Sequence, residues 1–220
     1  MISYNGNIIS SNGIWMYALP SIGNGAIRCK FKYGYVPDQQ DKYISMVHVS
    51  DNPNIWDLTP LIGQWSRLLK NNEYLLEVLD VNLQYSLSLS QIFANTPNLT
   101  YANLSKCSGN VELNDGFNES GIQYVVLNSN LGESNSVHLF ENCYNLKDLN
   151  NIKFTGEPFG AETMFQGCVN VESGILDLYN RLVAIGKGPY GAMFRDCGIN
   201  TETGRAELEQ IPTSWGGTLE

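Results

Sequence analysis

Met164-Phe165-Gln166-Gly167-Cys168-Val169-Asn170-Val171 is the stretch that decides the fold, because the chain keeps returning to it. Leu139-Phe140-Glu141-Asn142-Cys143-Tyr144-Asn145-Leu146 has the same form, and Met193-Phe194-Arg195-Asp196-Cys197-Gly198-Ile199 is a third copy. Ile92-Phe93-Ala94-Asn95-Thr96-Pro97-Asn98-Leu99 is a fourth, with Thr in the place of Cys. Phe117 in Asp115-Gly116-Phe117-Asn118 marks a degenerate copy, and Leu68-Leu69-Lys70-Asn71-Asn72-Glu73-Tyr74-Leu75 aligns with Ile92 to Leu99 without a gap. The anchors fall at 69, 93, 117, 140, 165 and 194, in steps of 24, 24, 23, 25 and 29 residues.

A nearly constant step of this size lies in the range of leucine-rich and related solenoid repeats. One such unit cannot bury its own apolar residues, whereas stacked units bury a continuous core. Equivalent residues are therefore expected to form ladders. One consists of Leu69, Phe93, Phe117, Phe140, Phe165 and Phe194, a second of Cys143, Cys168 and Cys197 with Thr and Asn, and a third of Leu75, Leu99, Leu146 and Val171. Each unit is expected to give one or two short strands to parallel ladders. Asn71, Asn72, Asn95, Asn142, Asn145 and Asn170 suit the corners, because Asn accepts local backbone hydrogen bonds and tolerates left-handed geometry. The expected fold is mainly β with short helices: a leucine-rich-repeat-like right-handed solenoid of about five to six coils after a small β module.

The Met-Phe-x-x-Cys-x-x-Leu/Val signature resembles the BspA-type leucine-rich repeats of bacterial surface proteins. The resemblance spans about residues 59 to 215. It extends to Ile27-Arg28-Cys29-Lys30-Phe31-Lys32-Tyr33-Gly34-Tyr35, Asn54-Ile55-Trp56-Asp57-Leu58, Val171-Glu172-Ser173-Gly174 and Ala206-Glu207-Leu208-Glu209-Gln210-Ile211-Pro212-Thr213-Ser214-Trp215. This combination is similar to proteins of tailed phages of gut Bacteroides-type bacteria and of related prophages. The resemblance implies a virion structural protein: a head fibre, capsid decoration or tail-fibre subunit displaying its repeats for host-surface or glycan adhesion. Its alternative implication is a bacterial cell-surface adhesin that binds host protein or glycan.

Charge narrows the partners. The chain carries a formal net charge of −9, so phosphate backbones and anionic membrane surfaces repel it. Met1-Ile2-Ser3-Tyr4-Asn5-Gly6-Asn7 has neither a cationic start nor a long apolar stretch, so synthesis in a host cytoplasm and location on a virion are expected rather than secretion. The expected partners are other virion proteins, further copies of the chain as a dimer or trimer, and a bacterial surface glycan.

Three segments are expected. Residues 1–22 read as an arm or hairpin with Asn5-Gly6 and Asn12-Gly13 turn signals, and Trp15, Met16 and Tyr17 are its candidates for anchoring or self-association. Residues 23–58 read as a small β module with strands over 26–32, 43–49 and 55–58. Residues 59–220 carry the repeats and a C-terminal cap, with helical turns expected at Leu61–Leu69, a short helix from Gly174 to Leu182, and a capping turn or helix after Ala206.

Little points to chemistry. The two histidines, His48 and His138, read as structural or surface residues, and no phosphate-cradling loop, nucleophile elbow or zinc-protease motif occurs. Five cysteines are an odd number, and the three in the repeats lie too far apart for zinc spacing, so buried reduced thiols are expected. Asn114-Asp115-Gly116-Phe117-Asn118-Glu119 gathers oxygen atoms but lacks the calcium-loop pattern, and reads as a turn. No cofactor, metal or catalytic residue is expected.

Overall fold

The computed structural model describes residues 9–11, 14–16, 25–34, 44–48, 54–60, 66–83, 87–107, 111–129, 136–154 and 160–220. The chain is mainly β. Its strands are β1 (Ile9–Ser11), β2 (Ile14–Met16), β3 (Ala26–Phe31), β4 (Ile44–His48), β5 (Ile55–Pro60), β6 (Leu75–Asn82), β7 (Leu87–Ser88), β8 (Tyr101–Asn103), β9 (Val111–Glu112), β10 (Tyr124–Ser129) and β11 (Ile152–Phe154). Two short helices follow, α1 (Ile175–Ala184) and α2 (Glu202–Leu208), and then a 3-10 turn at Thr213–Trp215.

β1 and β2 pair antiparallel with Ser11 opposite Ile14. The Asn5-Gly6 and Asn12-Gly13 signals lie outside the described residues. The main sheet has seven strands in the order β11-β10-β8-β6-β3-β5-β4. β3 is antiparallel to both β5 and β6, while β6, β8, β10 and β11 run parallel. The small module and the repeats thus share one sheet, and the expected boundary after residue 58 runs through β5.

In β3, Ile27, Cys29 and Phe31 enter the hydrophobic core, while Arg28, itself buried, and Lys30 turn to ion pairs on the other face. In β6 the buried residues are Leu75, Val78 and Val81, with two partly exposed residues between each pair. That spacing of three coincides with two register shifts against β3, which leave Leu79 and Leu76 without a cross-strand partner on β3.

The regular part is a stack of turns on the opposite side of the repeats from the parallel strands. Each turn joins the next through three alternate backbone N–H groups. The N–H of Gln91, Phe93 and Asn95 donate to the carbonyls of Asn114, Gly116 and Asn118, and those of Asp115, Phe117 and Glu119 donate to Val137, Leu139 and Glu141. The same triplet links the turns at 67–71 to 90–94, at 138–142 to 162–166, and at 163–167 to 191–195. In every case the donor at the anchor reaches the carbonyl one residue before the next anchor.

Making three outward bonds from five residues needs left-handed backbone on both sides of the anchor. The residue two before it has positive φ in Arg67, Gln91, Asp115, His138, Thr163 and Ala192. The residue two after it does too, in Asn71, Asn95, Glu119, Asn142, Gly167 and Asp196. Asn and Gly fill four of those six second positions, as their tolerance for this region predicts.

Between these bonds the anchor side chains point inward and pile up. Ring centroids are 5.0 Å apart for Phe93–Phe117, 5.2 Å for Phe117–Phe140, 5.4 Å for Phe140–Phe165 and 5.9 Å for Phe165–Phe194. Leu69 is the buried first rung. Trp215 adds a final ring over Phe194 at 6.5 Å, and its carbonyl accepts the Phe194 N–H. Tyr179 and Tyr190 hold the Trp215 ring edge-on at 5.2 and 5.5 Å. A Cβ on Gly188 would lie 2.1 Å from that ring, so only glycine fits beside it.

The irregular steps have local causes. Thr100 N–H bonds Leu76, Gln123 bonds Thr100, Lys147 bonds Gln123 and Glu172 bonds Lys147, so Ile122 takes the place that Leu75, Leu99, Leu146 and Val171 hold in the other repeats. The missing residue of the 23-residue step therefore lies between Phe117 and Ile122. Gly121 makes this corner tight: a Cβ there would be 2.1 Å from the Pro97 carbonyl oxygen. The 29-residue step holds α1, whose Ile175, Leu178 and Leu182 are buried and whose first N–H groups donate to the Glu207 carboxylate of α2.

One sequence expectation differs. Residues 66–70 form turns rather than the end of a helix, because they are the first unit of the hydrogen-bonded stack; 61–65 lie outside the described residues.

Candidate interaction surface

The cysteines give the interior its chemistry. All five are unpaired and buried. Three residues after each phenylalanine anchor, Thr96, Ser120, Cys143, Cys168 and Cys197 form one buried row. Cys143 Sγ donates to the Phe117 carbonyl and Cys168 Sγ to the Phe140 carbonyl, each at 3.0 Å, and Thr96 Oγ1 bonds the Phe93 carbonyl at 2.6 Å. Burial pushes the thiols of Cys143 and Cys107 up to about 12, and those of Cys29, Cys168 and Cys197 rise for the same reason. Protonated thiols of this kind are poor nucleophiles.

His138 sits on the turn side, with Nδ1 2.7 Å from Thr163 Oγ1 and 2.8 Å from a Glu141 carboxylate oxygen. Asn118 donates to the same carboxylate group at 3.2 Å. These contacts tie neighbouring turns together across their polar rim. His48 lies on β4. Among the described residues no group of His, Cys, Asp and Glu is placed to hold a metal ion. The described helices include none long and apolar enough to cross a membrane.

The outer face of the parallel strands carries a different set. Register aligns Lys30, Glu77, Tyr101 and Tyr124 in one cross-strand row. Lys30 Nζ meets Glu77 at 2.5 Å. A neighbouring row aligns Asp57, Arg28 and Asp80. There Arg28 grips Asp57 through two bonds of 2.6 and 2.7 Å, and Lys106 reaches Asp80 at 2.5 Å. Lys147 and Glu172 pair further along at 3.0 Å. Burial, then Glu77 and Asp80, raise the Tyr101 hydroxyl above its ordinary value.

Tyrosines border this face where the strands begin. Tyr74 precedes β6, Tyr33 follows β3, Tyr124 opens β10 and Tyr144 lies just before the Lys147–Gln123 bond; all four are exposed. The Lys32 ammonium lies 5.8 Å from the Tyr74 ring centroid. Tyrosine supplies a large apolar face and a hydroxyl at low entropic cost, which is why it is favoured at recognition surfaces. Its carboxylates being engaged with cations, the face offers aromatic contact and hydrogen bonding.

Of the candidate residues read from the sequence, the six anchors and the three repeat cysteines lie inside, away from this face. Trp15 and Met16 are on β2, and Tyr17 lies outside the described residues. The bordering tyrosines were not singled out, although Tyr101 and Tyr124 stand at matching places after their anchors once the short corner is allowed for. No family model, curated protein or solved structure matches this chain.

Proposed function

We propose that the stack of turns and parallel strands is a right-handed solenoid of the BspA-type leucine-rich-repeat class, and that the protein is a structural and adhesive component of a phage virion. In this reading it is a head fibre, capsid decoration or tail-fibre subunit. The arm at residues 1–22 anchors it or joins it to further copies, and the tyrosine-bordered face meets a host-surface protein or glycan. The observation that carries the proposal is the unbroken triplet of backbone bonds from the turn at Arg67 to the turn at Arg195. It makes a rigid, repetitive scaffold whose distinctive side chains are either buried for packing or displayed for contact. A reaction centre is not part of the proposal.

Mass spectrometry of purified particles tests it, with the protein expected at a fixed copy number per particle. Its absence from particles, together with recovery at a bacterial surface, would replace this reading with the cell-surface adhesin. Capsid and tail genes beside the coding gene are expected under the virion reading.

A further inference from the structure

Among the described residues, Tyr33, Tyr74, Tyr124 and Tyr144 are the only large apolar side chains exposed before α1. Tyr124 belongs to the row Lys30–Glu77–Tyr101–Tyr124, in which each residue sits on a different neighbouring strand. Strands in a sheet lie about 4.8 Å apart, so the row lines up one side chain per strand. At one end the Lys30–Glu77 pair holds an ammonium and a carboxylate side by side. Two phenol rings on adjacent strands follow. Tyr101 is half-buried and Tyr124 is 52% exposed. Burial, then the Glu77 and Asp80 charges, raise the Tyr101 hydroxyl, so it stays a donor. No described residue takes the hydroxyl of Tyr101 or Tyr124 in a hydrogen bond.

Charge selects the occupant. Arg28–Asp57, Lys30–Glu77, Lys106–Asp80 and Lys147–Glu172 cancel in pairs on this face. A polyanion would meet no unpaired cation in these pairs and a chain of net charge −9. A polycation would compete with cations already in place. A protein segment would strip water from the pairs with no opposite charge to offset the loss. Sugar hydroxyls replace that water, because each hydroxyl can donate to a carboxylate oxygen and accept from the ammonium beside it. The apolar C–H face of a sugar ring covers a phenol ring. We propose that the row Lys30–Glu77–Tyr101–Tyr124 binds a neutral glycan, laid across the strands with successive sugar rings on successive strands. Lys30 and Glu77 bond the hydroxyls of one ring, the Tyr101 hydroxyl donates to the next, and Tyr124 stacks against a third. This site rests on the reading of the tyrosine-bordered face as adhesive, and it narrows the partner from protein or glycan to an uncharged glycan.

The test applies the full chain to an array of neutral, anionic and cationic oligosaccharides from bacterial and animal surfaces, and titrates the strongest ligand by calorimetry. Saturable binding of at least one neutral glycan is expected, with an affinity that stays constant as salt rises. Tyr124→Ala should weaken it by about tenfold or more. Tyr101→Phe, which removes only a hydroxyl, should weaken it by about threefold to tenfold. Ile185→Ala, exposed beyond the end of α1, should bind as the unaltered chain does. Binding of charged glycans alone, an affinity that falls with salt, no glycan bound, or unchanged binding by both tyrosine variants would overturn the proposal. Tyr124-dependent capture of a purified surface protein, with no glycan bound, would keep the face adhesive and overturn the glycan assignment. Neutral-glycan binding by a protein found on neither particles nor cell surfaces would uphold the site and remove the proposed setting.

Discussion

The two sides of each repeat obey different rules. On the turn side, all five junctions repeat one pattern of three backbone bonds, four of them stack one ring over another, and Cys143 and Cys168 each set a buried thiol against the carbonyl of the preceding anchor. On the strand side, the strands vary from three residues in β8 and β11 to eight in β6, and the 29-residue step carries α1 instead of a strand. The difference teaches where order resides. The turns keep one geometry, and the segments between them absorb insertions and carry the side chains that face outward.

The largest expected effect breaks the turn side by alkali. Unfolded thiols ionise near their ordinary value of 9.0, while the folded chain holds Cys107 and Cys143 protonated up to about 12. The unfolded state therefore sheds protons first, and stability present below about pH 9 should fall steadily toward pH 12. Each unit of elevation is worth about 1.4 kcal/mol per thiol. Urea midpoints measured from pH 8 to 11 should drop, and Cys143→Ala with Cys168→Ala should flatten the drop. An unchanged slope in that variant would remove the thiol row from the explanation.

Next in size, Phe165→Ala should cost about 3–5 kcal/mol, because it empties a fully buried aromatic site. Hydrogen exchange should quicken at the turns anchored on Phe140 and Phe194 as well. A loss below about 1 kcal/mol would mean that the rings do not hold the stack. Gly121→Ala should cost about 1–3 kcal/mol in chemical denaturation, since its methyl group meets a backbone carbonyl that cannot move away cheaply. The smallest change belongs to the strand side. Tyr124→Ala should alter stability by no more than about 0.5 kcal/mol, the usual range for an exposed substitution. A larger loss would show that the outer face shares the structural burden and blur the contrast between the two sides.

The same contrast governs what the sequence reveals. The anchors were legible because a buried, stacked position accepts few residue types, so Phe93, Phe140, Phe165 and Phe194 announce themselves. Ser120 was not matched to the cysteine row, since a hydroxyl and a thiol do the same work there but look unlike in sequence. Trp215 was placed near the cap, yet its role as a further ring over Phe194 depends on a chain return that no local pattern encodes. The insertion of β3 between β5 and β6 is non-local pairing of the same kind. The strand-side tyrosines escaped because exposed positions are under no common packing rule, leaving no periodic signal to read. The arm residues Trp15 and Met16 fall on a strand, but their proposed anchoring role concerns other molecules and is written in no intrachain pattern.

The uniform junction also has a genetic consequence. Any turn presents three carbonyls that any other turn can address, so the Phe93 N–H could donate to the Leu139 carbonyl much as it does to that of Gly116. Misaligned recombination between the coding segments of two repeats would then add or remove a whole unit while leaving both new neighbours in register. The gene can change length by whole repeats without passing through a misfolded product, and natural lineages of it are expected to differ in repeat number more readily than in the spacing within a turn.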